Sequence, residues 1–180
     1  MKTIKNYCET DLKIDNLLKK TKKNIFQGTT INKIVVNIGV KEANINANKI
    51  LPPLLVTKLL TQQQPLLTKA KKSIANFKLR EGKIIGCKAT LRNKNMNNFL
   101  EKLIHIILPQ ITESKNLRYK NRRPKNHITI GLNDCNIFPE LENQYDLLTN
   151  LSGIEVTLCS KEKTLNKNNL LFSGLKIKFQ

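Results

Sequence analysis

The sequence contains no tryptophan, and aromatic residues make up only 5% of it. Acidic residues are also scarce, 13 against 32 lysines and arginines, which leaves a formal net charge of +19 over 180 residues. A compact domain with that excess repels itself, and a polyanion relieves the repulsion. No apolar run approaches the ~20 residues of a membrane-spanning helix; the most apolar stretch, Leu103 to Leu108, is far too short. The N-terminal stretch has no apolar secretory core and carries Glu9, Asp11 and Asp15, which a transit peptide avoids. The expectation is a soluble protein with no membrane partner, made where it works or imported without a visible signal.

Metal and redox chemistry lack their usual spacing. The four cysteines, Cys8, Cys87, Cys135 and Cys159, form no CxxC pair, and His105 and His127 are not spaced to complete a zinc site. The cysteines read as small buried hydrophobes in a reducing compartment, with no metal and no cofactor expected. There is no GxxxxGK[ST] or GxGxxG to cradle a phosphate. Neither histidine stands beside a nucleophile and an orienting acid. Glu140, Glu142 and Asp146 read as a loop and a helix start rather than a catalytic pair. The sequence therefore predicts a protein that is not an enzyme.

What is present is a folding chain: 39% of residues are hydrophobic, enough for a core. Thr3 to Lys23 has the spacing of an amphipathic helix. Lys33–Val40 (KIVVNIGV) is a β-branched strand with Ile34, Val36, Ile38 and Val40 on one face and Lys33, Val35, Asn37 and Gly39 on the other. Ile50–Leu60 predicts a helix beginning at Pro52-Pro53, where proline suits a first turn, followed by an extended PLLTK. Ala70–Lys83 has no clean period and predicts a long loop or loose hairpin.

Ile84–Arg92 repeats the strand design, with Ile85, Cys87, Ala89 and Leu91 opposite Gly86, Lys88, Thr90 and Arg92. Met96–Leu108 is the strongest helix, capped by Asn93 or Asn95 and ended by Pro109. Strands follow near His127–Leu132, Ile154–Ser160 and Leu175–Phe179, with a short helix around Leu165–Phe172. No repeat or linker appears, so 1–180 is expected to be a single domain. Its class is α+β, two layers, with a mostly antiparallel sheet and helices packed on one face.

The densest charge lies between Lys69 and Lys94. It comprises Lys69, Lys71, Lys72, Lys78, Arg80, Lys83, Lys88, Arg92 and Lys94 against the single acid Glu81. A solvated face mixes both signs; this imbalance points to phosphate contacts. Phe77, in the middle of the basic loop at about 70–83, is placed either to stack on a base or to fold back into a small core. A second basic loop, at about 118–126, holds Arg118, Arg122 and Arg123, whose guanidinium groups suit an RNA or an acidic partner protein. A DNA regulator would want a polar recognition helix. Here the strong helix is aliphatic and the charge sits on loops and strands, which favours folded RNA.

The stretch QPLLTKAKKSIANFKLREGKIIGCKATLRNKNM closely resembles large-subunit ribosomal protein five of the bacterial type, the family that carries 5S rRNA. The segments NKIVVNIGVKEA, FLEKLIHIILPQI, ITIGLNDCNIFPEL and GIEVTLCSKEK extend the likeness over nearly the whole chain. The resemblance implies a structural constituent of the large ribosomal subunit that binds 5S rRNA and large-subunit rRNA in the central protuberance.

It places the 5S contacts on Asn37, Gln63 and Thr90, two of which lie on the polar strand faces already identified. The rRNA-binding set expected from both readings is Lys33, Asn37, Gln63, Lys69, Lys88, Thr90 and Arg92. The Lys71–Gly82 loop, with Lys71, Lys72, Ser73, Phe77, Lys78 and Arg80, corresponds to the segment that reaches the peptidyl-site tRNA. The region after Pro109, with Arg118, Arg122 and Arg123, resembles the part that meets a small-subunit head protein across an intersubunit bridge.

Three departures stand out: YKNRRPKNH replaces the family's glycine-rich sequence before the ITIGL strand, Pro52-Pro53 interrupts a helix, and Gln62 replaces the glycine before Gln63. The lysine- and asparagine-rich composition indicates an A+T-rich gene. It points to an organellar member, in a mitochondrion rather than a plastid or an A+T-rich bacterium. Where a mitochondrial ribosome lacks 5S rRNA, the alternative is a protein bound to the large-subunit rRNA alone.

Overall fold

The computed structural model describes residues 30–113, 127–133, 135–144, 153–161 and 171–175, together with the positions Tyr7, Thr10, Leu12, Ile14, Asp15, Leu18 and Leu151. Five strands are described: β1 (Ile31–Gly39), β2 (Leu66–Lys69), β3 (Ile84–Leu91), β4 (His127–Leu132) and β5 (Ile154–Ser160). They form one sheet in the order β2-β3-β1-β5-β4. The sheet is antiparallel and the protein is α+β, as its alternating strand patterns predict.

The alternation is visible in burial. Ile34, Val36 and Ile38 of β1 are fully buried, as are Cys87 and Leu91 of β3 and Val156 and Leu158 of β5. The residues between them, Lys33, Val35, Asn37, Lys88, Thr90, Glu155 and Thr157, keep part or all of their surface in solvent. Side chains alternate across a strand, so one face of the sheet makes the core and the other stays open.

Contacts divide the chain into two units, each described by itself: residues 35–91 with 131–156, and residues 1–34 with 92–130 and 157–180. In the first, helix α1 (Leu51–Thr61) follows a 3-10 turn, begins one residue before the prolines and carries both of them in its first turn. The interruption at Pro52-Pro53 is thus a helix start, where a missing N–H costs no hydrogen bond. This helix packs on β3, and the Thr57 hydroxyl lies 3.2 Å from the Cys87 sulfur in the core. Burial raises the Cys87 thiol pKa, an effect the Thr57 hydrogen bond partly offsets. Gln62 ends α1 in the left-handed conformation, φ 53°.

Gly86, expected on the open face, is instead buried, with the backbone of the neighbouring strand β1 close beside it. A Cβ there would stand 2.4 Å from the Ile38 carbonyl oxygen. β2 pairs antiparallel with β3, Leu66 opposite Lys88 and Thr68 opposite Gly86, with a bulge between Thr68 and Lys69.

In the second unit the helix that begins after β3 departs from expectation at both ends. Arg92 occupies the N-cap position with no side-chain cap, and Asn93 takes a left-handed φ of 50°. Neither Asn93 nor Asn95 caps the helix. Nor does Pro109 end it. Helix α2 (Asn93–Lys102) passes into a π-helical stretch, Leu103–Ile107, and continues as α3 (Leu108–Glu113). A proline inside an α-helix lacks an N–H and its ring presses on the carbonyl four residues back. The wider π turn falls where that clash would arise, and the restart at Leu108 places Pro109 in a first turn.

Of the expected N-terminal helix, the described positions Tyr7, Leu12, Ile14, Asp15 and Leu18 are helical. The Tyr7 hydroxyl donates to the Gly174 carbonyl at 3.2 Å, and Leu171–Gly174 are helical. The rest of the helix expected at 165–172, the strand expected at 175–179 beyond Leu175, and the loop at 118–126 lie outside the described residues.

Candidate nucleic-acid interface

The open face owes its character to what the alternation leaves over once the core is filled. In the unit of residues 35–91 and 131–156, β1 offers Asn37, β3 offers Lys88 and Thr90, and the turn after α1 offers Gln63. The left-handed Gln62 reverses the chain so that the Gln63 amide donates to the Thr90 carbonyl at 2.9 Å. That bond uses one amide hydrogen, leaving the other and the carbonyl oxygen for a ligand. The turn in which Gln62 stands in place of a glycine is therefore formed in the conformation glycine favours. Lys88 and Thr90 are exposed and Lys69 is exposed at the end of β2.

Two residues of this face escaped the sequence reading. Glu155 of β5 accepts a hydrogen bond from the Asn37 side-chain amide at 3.2 Å, which fixes the amide and puts a carboxylate among the cations. Its only signal was its outward position in the alternation of IEVTLCS. Leu66 is 63% exposed and stands opposite Lys88, an apolar patch beside a cation. Lys33 and Arg92 belong to the other unit; Lys33 is partly exposed and Arg92 exposed.

The basic loop is a hairpin arm. At its root Ala70 is buried and its N–H donates to the Lys83 carbonyl at 2.8 Å, while Gly82 donates to the Ala70 carbonyl at 3.0 Å. Farther out, Ile74 and Leu79 exchange backbone hydrogen bonds of 2.9 and 3.1 Å, and the Ser73 hydroxyl accepts from the Glu81 N–H at 3.0 Å. Residues 71–78 are all exposed, so Lys71, Lys72 and Lys78 stand in solvent with Arg80 beside them. Phe77 is 73% exposed. Of its two expected placements, folding back into a small core is overturned: within the arm there is no core to receive it.

Among the described residues no group of three His, Cys, Asp or Glu side chains is placed to hold a metal ion. No helix there is long and apolar enough to cross a membrane.

An antiparallel sheet with one face buried and the other open, carrying an exposed cationic arm, defines the class as an α+β scaffold with a basic surface. Comparison with known proteins makes the class particular. The ribosomal protein L5 family model matches residues 24–80, and the model of the same ribosomal family's C-terminus matches residues 84–179. Large ribosomal subunit protein uL5m of Reclinomonas americana is 39% identical over 177 residues, covering 98% of this chain and 97% of that protein. The chain belongs to the ribosomal protein L5 family and is a structural ribosomal protein.

Proposed function

We propose that the chain binds 5S rRNA and large-subunit rRNA in the central protuberance of a mitochondrial large subunit. The observation that carries this reading is the junction at Thr90. There the Gln63 amide is tied to the Thr90 carbonyl, and the Thr90 hydroxyl, Lys88 and Asn37 share the open face. A flat face of amides, hydroxyls and lysines suits an RNA loop, whose splayed bases and backbone offer hydrogen-bonding edges and phosphates. Glu155 holds the Asn37 amide in one orientation, which lowers the cost of ordering it on binding.

The Lys71–Gly82 arm reaches the peptidyl-site tRNA in this reading. Lys71, Lys72, Lys78 and Arg80 meet its backbone and Phe77 stacks on an unpaired base, while Ser73 braces the arm from within. Arg118, Arg122 and Arg123 face a small-subunit head protein across the intersubunit bridge. The mitochondrial assignment rests on the A+T-rich composition and on the likeness to uL5m of Reclinomonas americana.

Sedimentation of a native lysate through a high-salt gradient, followed by sequencing of RNA crosslinked to the protein, tests the reading. Large-subunit migration with crosslinks to 5S rRNA and the central-protuberance helices supports it. Crosslinks to the large rRNA alone remove the 5S partner. Protein at the top of the gradient without rRNA overturns it.

A further inference from the structure

In the other unit, β4 and β5 carry outward residues that the interface above does not use. Thr129 lies between Ile128 and Ile130, both 1% exposed, and Thr157 between Val156 and Leu158, both 0% exposed. Both threonines thus point away from the core, and their hydroxyl oxygens are 3.1 Å apart. Lys33 on β1, the neighbour of β5, and exposed His127 on β4 share that face. Among the described residues of β1, β4 and β5 in this unit there is no carboxylate, whereas the interface above holds Glu155.

Two hydroxyls in contact share one hydrogen between them. The pair therefore presents one hydrogen outward and keeps lone pairs to accept another. A phosphate oxygen only accepts. A ribose 2′-hydroxyl both donates and accepts, and it is the group that marks RNA. The described residues of this patch include no aromatic on which a base would stack, and threonine is too short to reach far past the strand. A shallow hydroxyl pair beside a lysine fits the sugar edge of a strand passing over it.

We propose that Thr129 and Thr157 together bind a ribose 2′-hydroxyl of RNA crossing the β5–β4 side of the sheet, with Lys33 on the adjoining phosphate. The inference rests on the RNA-binding reading and adds a contact to it. The competing role is a cross-strand threonine pair that merely steadies the sheet.

The test uses the full chain and the rRNA extracted from the particles with which it sediments, transcribed with single 2′-deoxy substitutions. Thr129→Val/Thr157→Val keeps the shape and removes both hydroxyls. The expected result is about five-fold weaker binding, the scale of one net hydrogen bond, with one 2′-deoxy position that weakens wild-type binding becoming silent in the variant. Thr129→Ser/Thr157→Ser, which keeps the hydroxyls, restores both, and shows that a poorly folded valine variant is not the cause. An unchanged deoxy-interference pattern with a lowered melting temperature assigns the pair to the sheet alone and overturns the proposal. So does a photocrosslink from position 129 that lands on protein rather than RNA. If Asn37→Ala and the valine variant are both without effect because wild-type protein binds none of the rRNA, the underlying RNA-binding reading falls instead.

Discussion

Gln62 holds a conformation that most side chains avoid. At φ 53° its Cβ crowds the backbone, a cost of roughly 1–2 kcal/mol for a residue other than glycine. The cost is borne because the reversal delivers Gln63 to the Thr90 carbonyl. Gln62→Gly keeps the turn and removes the crowding, offset in part by the greater freedom of glycine in the unfolded chain. The expected outcome is a gain of about 1 kcal/mol in denaturant unfolding, with RNA affinity unchanged; a loss of affinity would mean that the Gln62 side chain itself touches the ligand. Thr90 allows a cleaner dissection, since its carbonyl anchors Gln63 while its hydroxyl faces outward. Thr90→Ala spares the carbonyl, so a drop of about 1 kcal/mol in RNA affinity measures the hydroxyl alone, and Asn37→Ala is expected to match it. Unchanged affinity in both variants would exclude this face.

Cys87 reports on the core beneath. Its raised pKa, caused by burial, means that the unfolded chain sheds the thiol proton first. Stability is therefore untouched below the ordinary thiol range and falls as pH rises through it towards the folded value. Alkylation at neutral pH should label partly exposed Cys159 well before Cys87 and Cys135, both buried; rapid labelling of Cys87 in the native protein would contradict the packing of α1 on β3.

At the scale of elements, the strands were legible in the sequence because a sheet with one buried face writes a period of two into the chain. KIVVNIGV, HITIGL and IEVTLCS all carry it. Proline misled the reading because a local rule met a tertiary demand. Leu103, Ile107 and Leu108 are all buried, and keeping them packed favours a helix that widens into a π turn over one that stops at Pro109. The Gln63–Thr90 tie spans 27 residues, and no local pattern announces a contact at that separation. Glu155 was passed over because a lone acid carries no motif; only its register in β5 places it beside Asn37.

Gly86 belongs to the same lesson. In the strand pattern it looks like a spare open-face position, yet its missing side chain is what lets β1 and β3 approach. Gly86→Ala forces a methyl group against the Ile38 carbonyl oxygen, and the expected loss is roughly 1–3 kcal/mol, the range for overpacked sites. Thermal unfolding checks it, and a neutral result would show that the two strands separate there without cost.

For the whole molecule the governing quantity is charge. A net +19 cannot be read as a set of contacts, since only cations that displace counterions from the RNA contribute to its salt dependence. The structure separates the candidates by position: Lys88 and Thr90 lie on the sheet, where hydrogen bonding and shape decide, whereas Lys71, Lys72, Lys78 and Arg80 are carried on an arm with residues 71–78 all exposed. Changing those four arm residues to Gln should therefore leave the fold and the melting temperature nearly unchanged, because the arm is rooted through backbone hydrogen bonds at Ala70 and Lys83. If all four meet phosphates, the slope of log affinity against log salt becomes shallower by about 3, at roughly 0.7–0.9 per contact. Measured on tRNA and on rRNA separately, that change assigns the arm: confined to tRNA it supports a tRNA-reaching arm, and confined to rRNA it makes the arm part of the rRNA-binding surface. A slope unchanged on both would mean that the arm's cations only solubilise the protein.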